Sequence, residues 1–266
     1  MADKKKVLIT GASGLIGGLI RKNLGDKYDF SALNRSKVEG IRCVQADIAD
    51  AEGIKPAFEG IHTVVHLAAF NEGVYNWEGN LRISIGGTRN VYEAARIHGV
   101  KRIVFASSGG TTLGYENDSP YTEIVAAEYD KVPKVWPLIT DDMPARPNSD
   151  MYVAKVFGEV LGRMYSDMYG ISVMNVRVGA VLPDDIPLMR RHYPGYFAHE
   201  DVVQMFDKCI DVPNHLRYEI FEGLSDNRWR WRDITHAQKL LGYHPTGSAE
   251  NHEIEDKGGR HQVNMT

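Results

Sequence analysis

Three glycines spaced three residues apart follow a short apolar run near the start of the chain. Gly11, Gly14 and Gly17 come directly after residues 7–10, and an amphipathic helical pattern begins among them. The first glycine permits a tight turn, the second lets the backbone approach a pyrophosphate, and the third lets the helix lie close to the strand. Free N–H groups in the first turn of the helix then face the phosphates. This spacing predicts a dinucleotide site.

A second set of residues is expected to contact the adenosine ribose of such a dinucleotide. NAD-binding proteins usually place a carboxylate after the second strand, but this chain has Asn34, Arg35 and Ser36 there. A guanidinium pairs bidentately with a ribose phosphate, which a carboxylate would repel, so the sequence favours NADP over NAD. The alternative is that Arg35 is a solvated surface residue.

Two further groups follow predicted strands and complete the expected cofactor site. Asp47 and Ile48 are placed to bracket the adenine, and the small residues after the fourth strand let the backbone approach the middle of the cofactor. From position and residue type, the predicted dinucleotide contacts are Gly11, Ser13, Gly14, Leu15, Ile16, Asn34, Arg35, Ser36, Asp47, Ile48, Leu67, Ala68 and Ala69.

Strand-like and helix-like segments alternate along most of the chain. The predicted strands are 7–10, 29–33, 41–44, 62–67, 102–106 and 172–178, and the predicted helices after the first are 51–58, 81–98 and 151–169. This rhythm is typical of α/β proteins and predicts a Rossmann-type, doubly wound parallel sheet. Residues 109–149 form a long irregular segment, which we expect to be a lid or a binding loop.

The pattern loosens towards the C-terminus, which suggests a division into domains. We predict a dinucleotide-binding domain over residues 1–179, which includes the loop 109–149, and a small substrate-binding lobe over 180–246. The lobe would contain a helix at 200–210, a strand at 218–222 and a helix at 233–241. Residues 247–266 are polar and are predicted to be a flexible tail.

Bulk composition excludes several classes of function. With 266 residues, 43% of them hydrophobic, and a net charge of −4, the chain has an ample core and no basic surplus for nucleic acid or anionic membranes. No apolar run approaches the length of a membrane helix, and the N-terminus lacks the apolar segment of a signal peptide, so a cytoplasmic protein is expected. Cys43 and Cys209 are predicted to be buried thiols, and the histidines show no metal-ligand spacing.

Several motifs together resemble the extended short-chain dehydrogenases/reductases. They are Gly11-x-x-Gly14-x-x-Gly17, Asp47-Ile48, His66-Leu67-Ala68-Ala69, Gly87-Thr88-x-Asn90, Ser107-Ser108 and Lys155-x-x-Gly158-Glu159. Residues 90–96, 102–108, 145–147 and 240–245 are similar to the uronate dehydrogenase-type branch of that family. The resemblance implies an NAD(P)-dependent oxidoreductase acting on a sugar-like or polyhydroxylated alcohol or carbonyl. It also implies a homodimer formed through helices 81–98 and 151–169.

The family mechanism implies a tyrosine, a lysine four residues later and a serine. Lys155 and Ser108 match two of these positions, but Met151 stands where the tyrosine is expected, and Tyr152 is one residue late. One residue rotates a helical side chain by about 100°. We therefore favour the hypothesis that the usual acid–base residue is absent. The alternative is a distorted helix start that brings Tyr152 into the pocket.

Other departures from the family concern the substrate. Ser84 replaces the family asparagine near the cofactor, and Gly109-Gly110 replaces an asparagine and a histidine that help hold a uronate. Asn71 falls near a family substrate position. Arg190 and Arg191 fall near an arginine that grips the uronate carboxylate, although adjacent arginines are also commonly solvated.

The predicted site residues and the open alternatives follow from these matches. The catalytic candidates are Ser108, Tyr152 and Lys155; Ser84 and Lys155 join the cofactor contacts; the substrate candidates are Asn71, Ser108, Gly109, Arg190 and Arg191. An epimerase or dehydratase of the same fold, or a cofactor-binding protein with little redox activity, remain alternatives. Trp229 and Trp231 are predicted to pack within the second lobe.

Overall fold

A seven-stranded parallel sheet forms the centre of the molecule. The computed structural model describes residues 4–254, and the strand order is β3-β2-β1-β4-β5-β6-β7. The strands are β1 (Lys5–Thr10), β2 (Tyr28–Asn34), β3 (Arg42–Gln45), β4 (Thr63–His66), β5 (Arg102–Ser108), β6 (Ser172–Val178) and β7 (Tyr218–Gly223). The predicted doubly wound α/β fold is confirmed.

Helices cover both faces of this sheet. They are α1 (Leu15–Leu24), α2 (Trp77–Gly79), α3 (Thr88–Ile97), α4 (Tyr121–Val125), α5 (Asp150–Tyr169), α6 (His199–Asp211) and α7 (Thr235–Leu241). Helices α1 and α6 pack with the core on one face, and α3 and α5 pack with the core on the other. The strand order reverses between β1 and β4, so a crevice opens there at the carboxyl ends of the strands, where doubly wound sheets bind ligands.

Two predicted helices differ from the observed elements. Residues 51–58 form turns and only a short 3₁₀ segment, Lys55–Phe58, because Pro56 has no N–H to donate and disfavours the α conformation of the residue before it. Residues 81–98 are not one α-helix. A π-helix, Asn80–Gly87, precedes α3, at a point where two adjacent glycines weaken the α-helical preference.

The C-terminal region also differs from the expected separate lobe. Strand β7 joins the main sheet beside β6, and α6 packs against α1. Because β7 pairs in parallel with β6 along Tyr218–Gly223, this strand belongs to the main sheet. The boundary at residue 179 itself stays a prediction.

The first residues of the predicted flexible tail pack on the body of the protein. The N–H of Gly247 donates to the Asp201 carboxylate at 3.0 Å, and Ala249 is fully buried. The part of that prediction covering 255–266 lies outside the described residues. Cys209 is buried as predicted, whereas Cys43 is only partly buried.

The loop 109–149 is structured and has its own small core. It contains a 3₁₀ segment, Gly109–Asn117, and α4, and its apolar side chains pack around Trp231. The N–H of Ile139 donates to the Trp231 carbonyl at 2.8 Å, which ties the loop to the segment after β7. Trp229 stacks on Tyr129, so both tryptophans are packing residues, but they pack against the loop 109–149 and not within a second lobe. Among residues 4–254, no helix is long and apolar enough to span a membrane.

Candidate active site

One recess lies at the ends of β1, β2 and β4, and we call it the strand-end cleft. It has a volume of about 400 Å³. It is lined by Gly11, Ser13, Gly14, Leu33, Asn34, Arg35, Ser36, Ala46, Asp47, Ile48, Leu67, Ala68, Ala69, Phe70, Asn71, Glu72, Arg82 and Ile83. Most of the predicted dinucleotide contacts therefore lie together.

The glycines of this cleft are required by close backbone contacts. Gly11 has a φ of +73°, and a Cβ there would lie 3.0 Å from the Ala68 backbone nitrogen. A Cβ on Gly17 would lie 2.8 Å from the Cα of Ala12. Helix α1 starts at Leu15 with no side-chain cap on Gly14, so its first N–H groups, including that of Ile16, are left for a ligand. This cradle fits a pyrophosphate.

The ribose end of the cleft carries donors and no carboxylate after β2. Asn34 is nearly buried, and its Nδ2 donates to the Ser36 carbonyl at 2.9 Å, while the Ser13 hydroxyl donates to its Oδ1 at 3.3 Å. Arg35 is exposed at the rim and has no partner among the described residues. Opposite, Arg82 pairs with Asp47 at 3.1 Å.

Two cofactor candidates from the family resemblance lie outside the lining of this cleft. Ser84 is buried, donating to Asn80 Oδ1 at 3.0 Å and accepting from the Phe70 N–H at 3.1 Å. Lys155 lies beside the sheet, and its Nζ donates to the Ala106 carbonyl at 2.7 Å. Burial lowers the pKa of Lys155 to about 8.

A second recess, which we call the Ser108 pocket, lies at the ends of β5 and β6. Its volume is about 310 Å³. Its lining is Ser108, Gly109, Gly110, Leu113, Glu116, Tyr152, Val178, Gly179, Ala180, Arg191, His192, Pro194, Gly195, Trp231 and Arg232. Ser108, Gly109, Tyr152 and Arg191 are predicted site residues that meet here. Asn71 lies in the strand-end cleft instead, and Arg190 is not in either lining.

Tyr152 lines the Ser108 pocket although it is one residue late, in line with the alternative that the sequence left open, and its catalytic role stays a prediction. A spacing of three places Tyr152 about 60° to one side of Lys155, while a spacing of four would place residue 151 about 40° to the other side, and both share one helix face. The Tyr152 N–H bonds the Ser149 carbonyl at 3.1 Å, a tight first turn of the 3₁₀ type. Burial raises the pKa of the Tyr152 hydroxyl, and Arg232 opposes that rise.

Gly109 and Gly110 make the room for two pocket side chains. A Cβ on Gly110 would lie 2.1 Å from the Tyr152 ring, and a Cβ on Gly109 would overlap the Arg232 guanidinium. The same pair lets the Gly110 N–H donate to the Ser108 hydroxyl oxygen at 3.0 Å. Gly109 and Gly110 stand where the resemblance implies an asparagine and a histidine, and a side chain at residue 110 would exclude the Tyr152 ring from its position.

Ion pairs surround the far side of the pocket. Arg191 pairs closely with Glu116. Arg232 Nη1 lies 3.8 Å from Glu222 Oε2. Burial raises the pKa of Glu222 to about 6, although the nearby Arg232 and Arg177 guanidinium groups lower it. The sequence did not predict Glu116 or Arg232 as site residues. Glu116 lies in the irregular loop 109–149, and Arg232 follows two tryptophans that were expected only to pack.

Comparisons with known proteins agree with the fold described above. The model of the NAD dependent epimerase/dehydratase family matches residues 7–184. The chain is 31% identical to the NAD-dependent glucose-6-phosphate dehydrogenase of Haloferax volcanii, over 94% of this chain and 96% of that protein. It is 36% identical to the L-arabinose 1-dehydrogenase (NAD(P)(+)) of the same organism, over 90% and 96%.

A solved structure is similar over nearly the whole chain. A mutant of uronate dehydrogenase from Agrobacterium tumefaciens, complexed with NAD, superposes with a TM-score of 0.79 at 33% identity. The superposition covers 94% of this chain and 87% of that one.

Proposed function

The chain belongs to the NAD-dependent epimerase/dehydratase family and is an NAD(P)-dependent oxidoreductase of sugar-like substrates, and we propose that Tyr152 and Ser108 hold its reacting oxygen. The observation that carries this proposal is that both hydroxyl groups line one pocket beside the strand-end cleft. The main support for a protein without redox activity was Met151, and Tyr152 in the pocket removes that support.

The residues of the Ser108 pocket divide the work on the substrate hydroxyl. Ser108 accepts a hydrogen bond from the Gly110 N–H, which fixes its oxygen and leaves its own proton for the substrate oxygen. During reduction Tyr152 donates its hydroxyl proton to the substrate oxygen and becomes a phenolate; in oxidation that phenolate takes the substrate hydroxyl proton, as a positioned acid–base group does. The cofactor, when bound, accepts or donates the hydride.

The strand-end cleft would hold that cofactor. The backbone around Gly11 and Gly14 and the start of α1 bind the pyrophosphate. Lys155 would reach the nicotinamide ribose by releasing the Ala106 carbonyl, and with its pKa near 8 it keeps its proton at neutral pH.

We propose that NADP is preferred to NAD. Arg35 has no partner within residues 4–254, and the side chain before it is an amide rather than a carboxylate. A free guanidinium there favours a 2′-phosphate because the pair is charge-assisted and bidentate.

A homodimer and a cytoplasmic location complete the proposal. Helix α5 exposes apolar side chains along one face, and α3 adds Ile97. The exposed members on α5 are Val153, Val160, Met164, Met168 and Tyr169. Such a patch suits an isologous contact. Light scattering at tens of micromolar should give twice the chain mass, and a monomer mass would contradict the dimer.

The test of the catalytic proposal compares Tyr152→Phe with Met151→Tyr. With NADP⁺ and a panel of aldoses and uronates, Tyr152→Phe should lower kcat by about 10²–10⁴-fold, the usual contribution of an acid–base group. Affinity for NADPH, measured by fluorescence, should not change. If instead Met151→Tyr raises activity and Tyr152→Phe does not lower it, the proposal is wrong and the acid–base residue is absent.

A further inference from the structure

Arg232 is a buried arginine in the pocket wall, and two of its three guanidinium nitrogens have no hydrogen-bond acceptor among the described residues. Its Nε and Nη1 are buried, and no acceptor among the described residues bonds them. Two other buried arginines differ. Arg177 bonds Glu159 through Nε and Nη2 at 2.9 and 3.0 Å, and Arg102 bonds Ser172 and the Ile210 carbonyl. Buried donors are normally bonded; Arg21 and Arg230 each leave one buried nitrogen without an acceptor, whereas Arg232 leaves two, and these require an explanation.

The position of Arg232 is fixed by its surroundings. Its backbone pairs with Ile139 in an isolated bridge, and its guanidinium occupies the space that a side chain at residue 109 would fill. The Glu222 carboxylate lies 3.8 Å away, which is beyond hydrogen-bond distance. Burial lowers the pKa of Arg232. Glu222 balances the charge of Arg232 but bonds none of its N–H groups, and such buried donors are costly unless a further anion bonds them.

The other charged groups of the pocket leave that anion to come from a ligand. Glu116 is the one carboxylate in the lining, and it is already paired with Arg191. Its second oxygen, Oε1, is buried without a partner and can accept a hydrogen bond from a sugar hydroxyl. The pocket thus offers an acceptor for a hydroxyl and a guanidinium for an oxyanion.

We propose that Arg232 binds an oxyanion of the substrate, a carboxylate or a phosphate, and selects acidic sugars over neutral ones. This inference rests on the proposed function, since it takes the Ser108 pocket as the place where the sugar binds. Guanidinium groups recognise both oxyanions by paired hydrogen bonds, so the two sources share one chemistry.

The test measures kcat/KM with NADP⁺ for D-glucuronate, D-glucose 6-phosphate and D-glucose. The native protein should prefer at least one of the two acids to D-glucose, and the better acid identifies the oxyanion. Arg232→Met should lower kcat/KM for that acid by about 10- to 100-fold, the scale of hydrogen bonds to a charged group, and change D-glucose by less than about threefold. Arg230→Met is the matched control, since Arg230 lies on the same segment but pairs with Asp226 outside the pocket.

Two further measurements separate the possible failures. If Arg232→Met does not fold, Arg232→Lys keeps the charge but loses the planar fork, and should still lose the acid selectively. If the native protein oxidises none of the sugars, the proposed function fails, and calorimetric binding of D-glucuronate and D-glucose 6-phosphate then tests Arg232 alone. Equal use of D-glucose and the acids, no acid binding in that experiment, or equal losses on all three sugars in Arg232→Met would overturn the inference.

Discussion

The two recesses are built in different ways, although they lie side by side at the same edge of the sheet. The strand-end cleft is formed largely by backbone and by residues that directly follow β1, β2 and β4. The Ser108 pocket is assembled from the end of β5, the loop 109–149, the start of α5, and segments around 191 and 232. The cleft therefore depends on local geometry, and the pocket depends on how distant segments pack.

Electrostatics separates the two recesses as well. The strand ends beside Gly11 are held by neutral hydrogen bonds, since His66 bonds Thr10 at 2.7 Å and Thr88 at 3.1 Å. The pocket is bounded by ion pairs that include Glu116, Glu222 and Arg232. Changes in the cleft should affect cofactor binding and stability, whereas changes in the pocket should affect turnover.

The largest effect is expected for Gly110→Ala. The added Cβ would overlap the Tyr152 ring, so the ring must leave its position, and kcat should fall by about 10²–10⁴-fold. NADPH affinity should not change. Because the two changes act on one group, Gly110→Ala combined with Tyr152→Phe should be no worse than Tyr152→Phe alone. Additive losses would show that Gly110 does not act through Tyr152.

The next effect concerns the ribose end of the cleft. Arg35→Ala should weaken NADP binding by about 1.5–3 kcal/mol, the scale of a charge-assisted hydrogen bond, and leave NAD binding nearly unchanged. Arg82→Ala is the control, since Arg82 lines the same cleft but is paired with Asp47. Calorimetry with both cofactors measures the change, and equal affinity of the native protein for NAD and NADP would refute the preference.

A smaller effect is expected for Gly17→Ala. The new Cβ would meet backbone atoms of Ala12, which cannot move aside as a side chain can, so α1 must shift. We expect a loss of about 1–3 kcal/mol in the free energy of unfolding, with weaker NADPH binding. Gly18→Ala should be neutral or stabilising, because a Cβ there meets nothing within 4 Å and alanine favours a helix. Similar losses in both variants would contradict this account.

A pH dependence of stability is expected from His66, and it is small near neutral pH. Burial lowers the pKa of His66 from 6.5 to about 3, with Lys155 adding to the shift. The unfolded chain takes a proton below pH 6.5 while the folded protein does not, so stability is complete above 6.5 and is lost as the pH falls towards 3. Urea unfolding of the native protein should lose about 1.4 kcal/mol per pH unit more than His66→Gln over this range. Parallel curves would mean that His66 is protonated in the folded state.

The sequence predicted the cleft well because its determinants are local. Glycine spacing, a strand before it and an apolar helical stripe after it specify the turn at Gly11 whatever the rest of the chain does. The residues Asn34, Asp47 and Ala68 follow strands in sequence, and parallel strands bring their carboxyl ends to one edge. Asn71 lines the strand-end cleft and not the Ser108 pocket, and its assignment to the substrate stays a prediction.

The pocket was predicted less completely because its determinants are tertiary. Met151 stands at the position of the family tyrosine, and this predicted that the acid–base group is absent. Whether the Tyr152 ring fits in the pocket depends instead on the space beside Gly110. That space is formed by residues far apart in the chain, and no spacing rule encodes it. Helix periodicity also allows both residues, since Tyr152, three residues before Lys155, and Met151, four residues before it, lie on the same helix face as Lys155.

The amino-acid order by itself therefore determined the doubly wound sheet, the pyrophosphate cradle and the absence of a carboxylate at the ribose end, because short-range sterics and strand alternation act within a few residues. Only the tertiary structure decided that Tyr152 enters the Ser108 pocket, that β7 completes the sheet, and that two Arg232 nitrogens beside Gly109 have no acceptor among the described residues. These features depend on contacts between side chains that are far apart in the sequence. For the Ser108 pocket, these contacts form when the loop 109–149 packs on the segment after β7.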